Sequence, residues 1–143
     1  NNAQKSNNVT IVKGDAISLL KDEIMQSANK FPNANICITH TMVLYQWSLE
    51  MKQQFESVLL ECSALLKDRI IYRLSLEMAH VLSTKTDWKL SNYKEALKNK
   101  KVSNAISKGS NVHLLCYQHG KLIESNLVAF SHPHGFWISF IKQ

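Results

Sequence analysis

A short apolar run, Val9 to Val12, leads straight into Gly14-Asp15-Ala16 and then into a helical pattern, and this junction constrains the fold more than any other stretch of the chain. A strand that ends in Gly-Asp and opens a helix places a carboxylate at the carboxyl edge of a parallel sheet, where α/β proteins bind nucleosides. The glycine-rich turn that holds the rest of such a ligand does not accompany it. Nothing before Val9 is long enough to supply a preceding strand, turn and helix, so the chain reads as the back half of a nucleotide-binding domain. The Asn-rich start without Met fits a fragment of a longer protein. Residues 1–8 are expected to form a disordered or added tail ahead of a single α/β domain over 9–143.

From Asp15 the period changes to helical. Asp15 is placed to cap, and Ile17, Leu20, Ile24 and Ala28 recur on one face as far as Asn29, before Pro32 stops the helix. Ile36-Cys37-Ile38-Thr39 is a continuous run of β-formers, as in a strand covered on both faces, and it ends at His40-Thr41. Ser48 is placed to cap a second helix whose Phe55, Val58, Leu59, Cys62, Leu65 and Leu66 form a stripe. Ile70 to Leu74 is a third strand, ending at Ser75-Leu76-Glu77. Strand, helix, strand, helix, strand in this order predicts right-handed crossovers and three parallel strands.

The carboxyl-terminal part reads differently. A short helix near Asn92 to Asn99 is all that the polar stretch from His80 to Ser110 predicts. Val112 to Tyr117 and Lys121 to Phe130 form a hairpin across Gln118-His119-Gly120, with Gly120 supplying positive φ. Trp137 to Ile141 is a last strand, so antiparallel strands finish the sheet.

Composition narrows the setting. With 45% hydrophobic residues in 143, one core is expected. There is no apolar run of about 18 residues and no signal-like start, which predicts a cytoplasmic protein without a membrane partner. Cys37, Cys62 and Cys116 are odd in number and sit in apolar runs, as buried free thiols of a reducing compartment do. The net charge of +6 raises the question of nucleic acid, but Lys98, Lys100, Lys101 and Lys108 stand among Asn and Ser without aromatic platforms. A solvated loop or helix end accounts for them, and nucleic acid is not an expected partner.

Four motifs, in order, carry a resemblance. Ile11-Val12-Lys13-Gly14-Asp15-Ala16, Ile38-Thr39-His40-Thr41, Tyr72-Arg73-Leu74-Ser75-Leu76-Glu77 and His132-Pro133-His134-Gly135-Phe136-Trp137 resemble the carboxyl-terminal half of a bacterial family of unknown function whose members end in Pro-His-Gly-x-Trp. That family has been regarded as methyltransferase-like. The match spans about residues 9 to 141. It implies half of a Rossmann-like sheet of the class I S-adenosylmethionine-dependent methyltransferase fold, with S-adenosylmethionine as cofactor of the full-length protein and an amino-terminal half as partner. It further implies that Asp15 accepts from the adenine amino group while the Ala16 amide donates to the ring.

The residues keep other readings open. Asp15 also serves as a helix cap. His40, at a strand end, is a candidate general base near neutral pH, or else satisfies a buried group. Thr41 offers a substrate-binding hydroxyl beside it, and Glu77, at the equivalent end of the next strand, is a further catalytic candidate, because three polar strand ends converge on one edge, or else a solvent-facing Glu. His134 is either a catalytic residue on the site rim or part of a rigid corner that packs Trp137. A metal site among His113, Cys116, His119, His132 and His134 is disfavoured, because residues 113 and 116 point to opposite faces of a strand. No Gly-x-Ser-x-Gly elbow, phosphate loop or Cys-x-x-Cys pair is present. Two functions follow: part of a methyltransferase-like enzyme, inactive alone, or a non-catalytic interaction domain that forms a homodimer through an exposed sheet edge.

Overall fold

A computed structural model describes residues 9–78, 109–132 and 138–141. Helix α1 (Ala16–Lys30) begins where Asp15 Oδ1 accepts from the Ser18 amide at 2.8 Å and from the Ser18 hydroxyl at 2.7 Å. These bonds satisfy a first-turn amide that has no intrahelical acceptor. At the other end Arg69 Nη1 donates to the carbonyls of Ala28, at 3.0 Å, and Phe31, at 3.1 Å. Helix α2 (Leu49–Leu65) is capped by Ser48, whose hydroxyl accepts from the Met51 amide.

Five strands form one open sheet: β1 (Ile36–Thr41), β2 (Ile71–Met78), β3 (Ser110–Gln118), β4 (Lys121–Ser131) and β5 (Ile138–Phe140), in the spatial order of the chain. Only β1 and β2 are parallel, and every later pairing is antiparallel. The expectation of three parallel strands is thus corrected to one parallel pair. Val9–Val12 is not a strand: Val9, Ile11 and Val12 are 58%, 80% and 47% exposed and join no ladder. A four-residue edge strand would fix its backbone in return for few, solvent-exposed hydrogen bonds, and the ordering entropy prevails.

The β3–β4 connection is a two-residue loop in which His119 (φ 52°) and Gly120 (φ 73°) both take positive φ. Positive φ at both central positions is the type I′ hairpin turn, whose twist suits the strands it joins. The turn is tied to α2 by the Gly120 amide, which donates to Ser63 Oγ at 3.1 Å.

Strand alternation divides the sheet. Ile36, Ile38, Ile71, Leu115 and Tyr117 face α1 and α2 and form the main core with Ile24, Ala28, Phe55, Leu59, Cys62 and Leu66. Cys37, Thr39 and Thr41 fall on the opposite side of β1 and are exposed, which corrects two expectations, that β1 is covered on both faces and that all three thiols are buried; Cys62 and Cys116 are buried, and all three are free. No helix among the described residues is long and apolar enough to cross a membrane. The helix near 92–99, the lysine cluster at 98–108, and Pro133, His134 and Trp137 lie outside the described residues.

Candidate functional site

Sheet register brings His40 and Glu77 together. β2 extends through Met78, so Glu77 lies within the strand rather than beyond its end, and its carboxylate faces the helices beside β1. Glu77 Oε1 lies 3.0 Å from His40 Nδ1 and accepts from the amides of Val43 at 2.9 Å and Leu44 at 3.0 Å. Those two amides open the 3-10 turn Leu44–Gln46, which receives no side-chain cap from its own preceding residue. Glu77 therefore supplies the cap from the neighbouring strand and fixes the connection from β1 to α2, where Met42 turns through a positive φ of 53°.

The network continues inward through Arg73. Its Nε donates to His40 Nε2 at 3.0 Å, and its Nη1 donates to Glu56 Oε2 at 3.0 Å and to the Tyr117 hydroxyl at 3.3 Å. The Tyr117 hydroxyl in turn donates to Glu56 Oε2 at 3.0 Å. Phe55 closes the group, with the Arg73 guanidinium 4.9 Å from its ring centre and the His40 ring edge-on at 5.8 Å. Arg73 is 1% exposed. A guanidinium that deeply buried requires this set of acceptors, because an uncompensated buried charge destabilises by about 3–5 kcal/mol.

The tautomer of His40 follows from its partners. Arginine only donates, so Nε2 carries the lone pair and Nδ1 carries the hydrogen that goes to Glu77. Burial lowers the His40 pKa and outweighs the opposing hydrogen bond that His40 donates to Glu77, with Arg73 lowering it further. His40 is a neutral relay between a carboxylate and a guanidinium. Its lone pair becomes available to a substrate proton only when Arg73 moves aside. Burial works to raise the Glu77 pKa, but the bonds from His40, Leu44 and Val43 prevail and hold it below the ordinary carboxylate range. Glu56 is shifted the other way, upward, by burial.

Asp15 and Ala16 open α1, not the end of a strand. The helix returns to β1 through residues 31–35, so its amino terminus lies toward the edge where β1 and β2 end. Asp15 is exposed, and the bonds from Ser18 hold its carboxyl below the ordinary range. A Cβ at Gly14 would meet the end of the half-buried Leu19 side chain, which would have to shift aside. Thr41 lies on the other face of the sheet, in a groove of about 390 Å³ that it lines with Thr39, Leu74, Leu76, Val112 and Ile138.

Sequence reasoning paired neither Arg73 with His40 nor Glu56 with Tyr117. A signal was present: Arg73, Ser75 and Glu77 recur at period two in an otherwise apolar run, placing three polar groups on one face. His113 joins them, since it sits on the helix-covered face directly opposite Ser75. Among the described residues no group of three or more His, Cys, Asp or Glu is placed to hold a metal ion.

Fold and site together define a mixed α/β protein with a buried polar relay at the carboxyl edge of its parallel strand pair. Residues 2–140 match a family described as an uncharacterized protein conserved in bacteria (DUF2332), and the chain belongs to that family. Neither a curated protein nor a solved structure matches it.

Proposed function

We propose that this domain contributes the adenosine-binding wall of an S-adenosylmethionine-dependent, methyltransferase-like bacterial protein. The observation that carries the reading is the pair of groups offered at the start of α1. Asp15 Oδ1 accepts from Ser18, and the carboxylate stands exposed at the start of the helix. The Ala16 amide is a first-turn donor without an intrahelical acceptor. A carboxylate acceptor beside an amide donor matches the amino group and adjoining ring nitrogen of adenine.

When bound, S-adenosylmethionine supplies an activated methyl group on a sulfonium leaving group. Transfer to a nucleophile that is already basic depends chiefly on positioning, so His40 engaged by Arg73 and Glu77 is compatible with the reading. In it Glu77 and His40 fix the edge, and Thr41 contributes a hydroxyl to the acceptor groove. Calorimetric titration with S-adenosylhomocysteine, native chain against Asp15→Ser, tests the contact.

A second reading, a non-catalytic domain that pairs through its sheet edge, is favoured by one observation. Among the described residues β1 is bonded to β2 alone, and no described strand occupies its outer edge, where another strand would pair. Sedimentation equilibrium tests it: a concentration-dependent dimer that Thr39→Lys weakens supports edge pairing, and a monomer at all concentrations overturns it.

A further inference from the structure

Ser75, Asn111 and His113 extend the relay from Glu77 into a second polar group on the helix-covered face. In the β2–β3 register Ser75 stands opposite His113 and Glu77 opposite Asn111. Directly opposed side chains begin about 5 Å apart and successive same-face residues about 7 Å apart, so the four frame one small patch. None is more than 1% exposed. Yet Ser75 Oγ, Glu77 Oε2, Asn111 Oδ1 and both ring nitrogens of His113 have no hydrogen-bond partner among the described residues. So many orphaned buried atoms in one place are unusual, because native interiors leave few polar groups unpaired.

The chemistry of the orphans is lopsided. Glu77 Oε2 and Asn111 Oδ1 only accept, a neutral imidazole accepts at one nitrogen, and the serine hydroxyl works either way. The bonds on Glu77 Oε1 keep the carboxylate ionised, and burial beside Arg73 keeps His113 neutral. Of the charged side chains in the relay and this patch, Arg73 offsets Glu56 through a 3.0 Å ion pair, which leaves the charge of Glu77 over. The complement of three acceptors and one negative charge is a cation with three N–H donors.

We infer that Ser75, Glu77, Asn111 and His113 form a recognition site for the primary ammonium group of a small polar molecule. Glu77 Oε2, Asn111 Oδ1 and one nitrogen of His113 accept its three hydrogens. The remaining His113 N–H and the Ser75 hydroxyl are left to donate to an oxygen on the same ligand. The assignment does not use the adenosine contact at Asp15, and failure of either leaves the other standing.

Ethanolamine, an ammonium at neutral pH, is the probe. Choline is its control, because it has the same charge and hydroxyl but no N–H donor. The chain labelled with 15N-histidine is titrated with each at constant ionic strength and neutral pH. Expected is a saturable shift of the His113 ring resonances by ethanolamine in the millimolar range natural to so small a ligand, and none by choline. Asn111→Leu should weaken the response about ten-fold, as loss of one charge-assisted acceptor does. No saturable shift, an equal response to choline, or undiminished binding by folded Asn111→Leu overturns the assignment. The ethanolamine and choline contrast decides on the native chain alone should the variant not fold.

Discussion

Glu77 and His40, 37 positions apart in the chain, meet at 3.0 Å because β1 and β2 are the parallel pair of the sheet and their register sets these side chains on one face. The same carboxylate oxygen also receives the Val43 and Leu44 amides. Glu77→Ala strands these donors in a buried setting and is expected to destabilise the fold by about 3 kcal/mol or more. Glu77→Gln retains a carbonyl acceptor and is expected to cost less. Urea denaturation of the two variants checks the order.

Tyr117 and Glu56 share Arg73, so removal of one changes the worth of the other. Tyr117→Phe deletes a hydroxyl that donates to Glu56 and accepts from Arg73, an expected loss of about 1–3 kcal/mol. Combined with Glu56→Gln, a double-mutant cycle should return a coupling of about 0.5–3 kcal/mol. Strict additivity would contradict the network.

Burial, with Arg73 nearby, lowers the His113 pKa to about 4 from its ordinary 6.5. The unfolded chain therefore takes up this proton first. The contribution to stability is complete above about pH 6.5 and is lost as pH falls toward 4. The full shift corresponds to about 3 kcal/mol. His40, also shifted down by burial, adds loss of the same sign, whereas the raised Glu56 opposes it. In denaturation curves at pH 7.5 and 4.5, His113→Leu should show a markedly smaller difference than the native chain.

The hairpin gives an independent check on backbone conformation. Gly120 has φ 73°, and an added Cβ would lie 3.3 Å from Ala64 Cβ. Gly120→Ala is expected to destabilise by about 1 kcal/mol or more, measured by thermal unfolding.

Much of this fold is legible locally. The caps at Asp15 and Ser48, the helices they open, the β1 run and the Gly120 turn each depend on residues within a few positions of one another, and each forms where the spacing predicts, although Leu65 falls off the buried α2 stripe and β1 is covered on one face only. Val9–Val12 fails as a strand because its apolar character cannot report whether a sheet edge is worth occupying. The reach of β2 to Met78 is likewise a matter of pairing with β3, not of its own residues. The relay lies further from view still. Arg73 signals a buried charge only once Glu56, Tyr117 and His40 are known to surround it, and they come from three different elements.

The most direct measurement is calorimetric titration of the native chain and Asp15→Ser with S-adenosylhomocysteine. Serine caps a helix about as well as aspartate, so the variant should keep its stability within a few tenths of a kcal/mol while losing the carboxylate. Saturable binding by the native chain is expected, weakened about ten-fold or more in the variant, as loss of a charged hydrogen bond implies. No binding by the native chain, or equal binding by both, would contradict it.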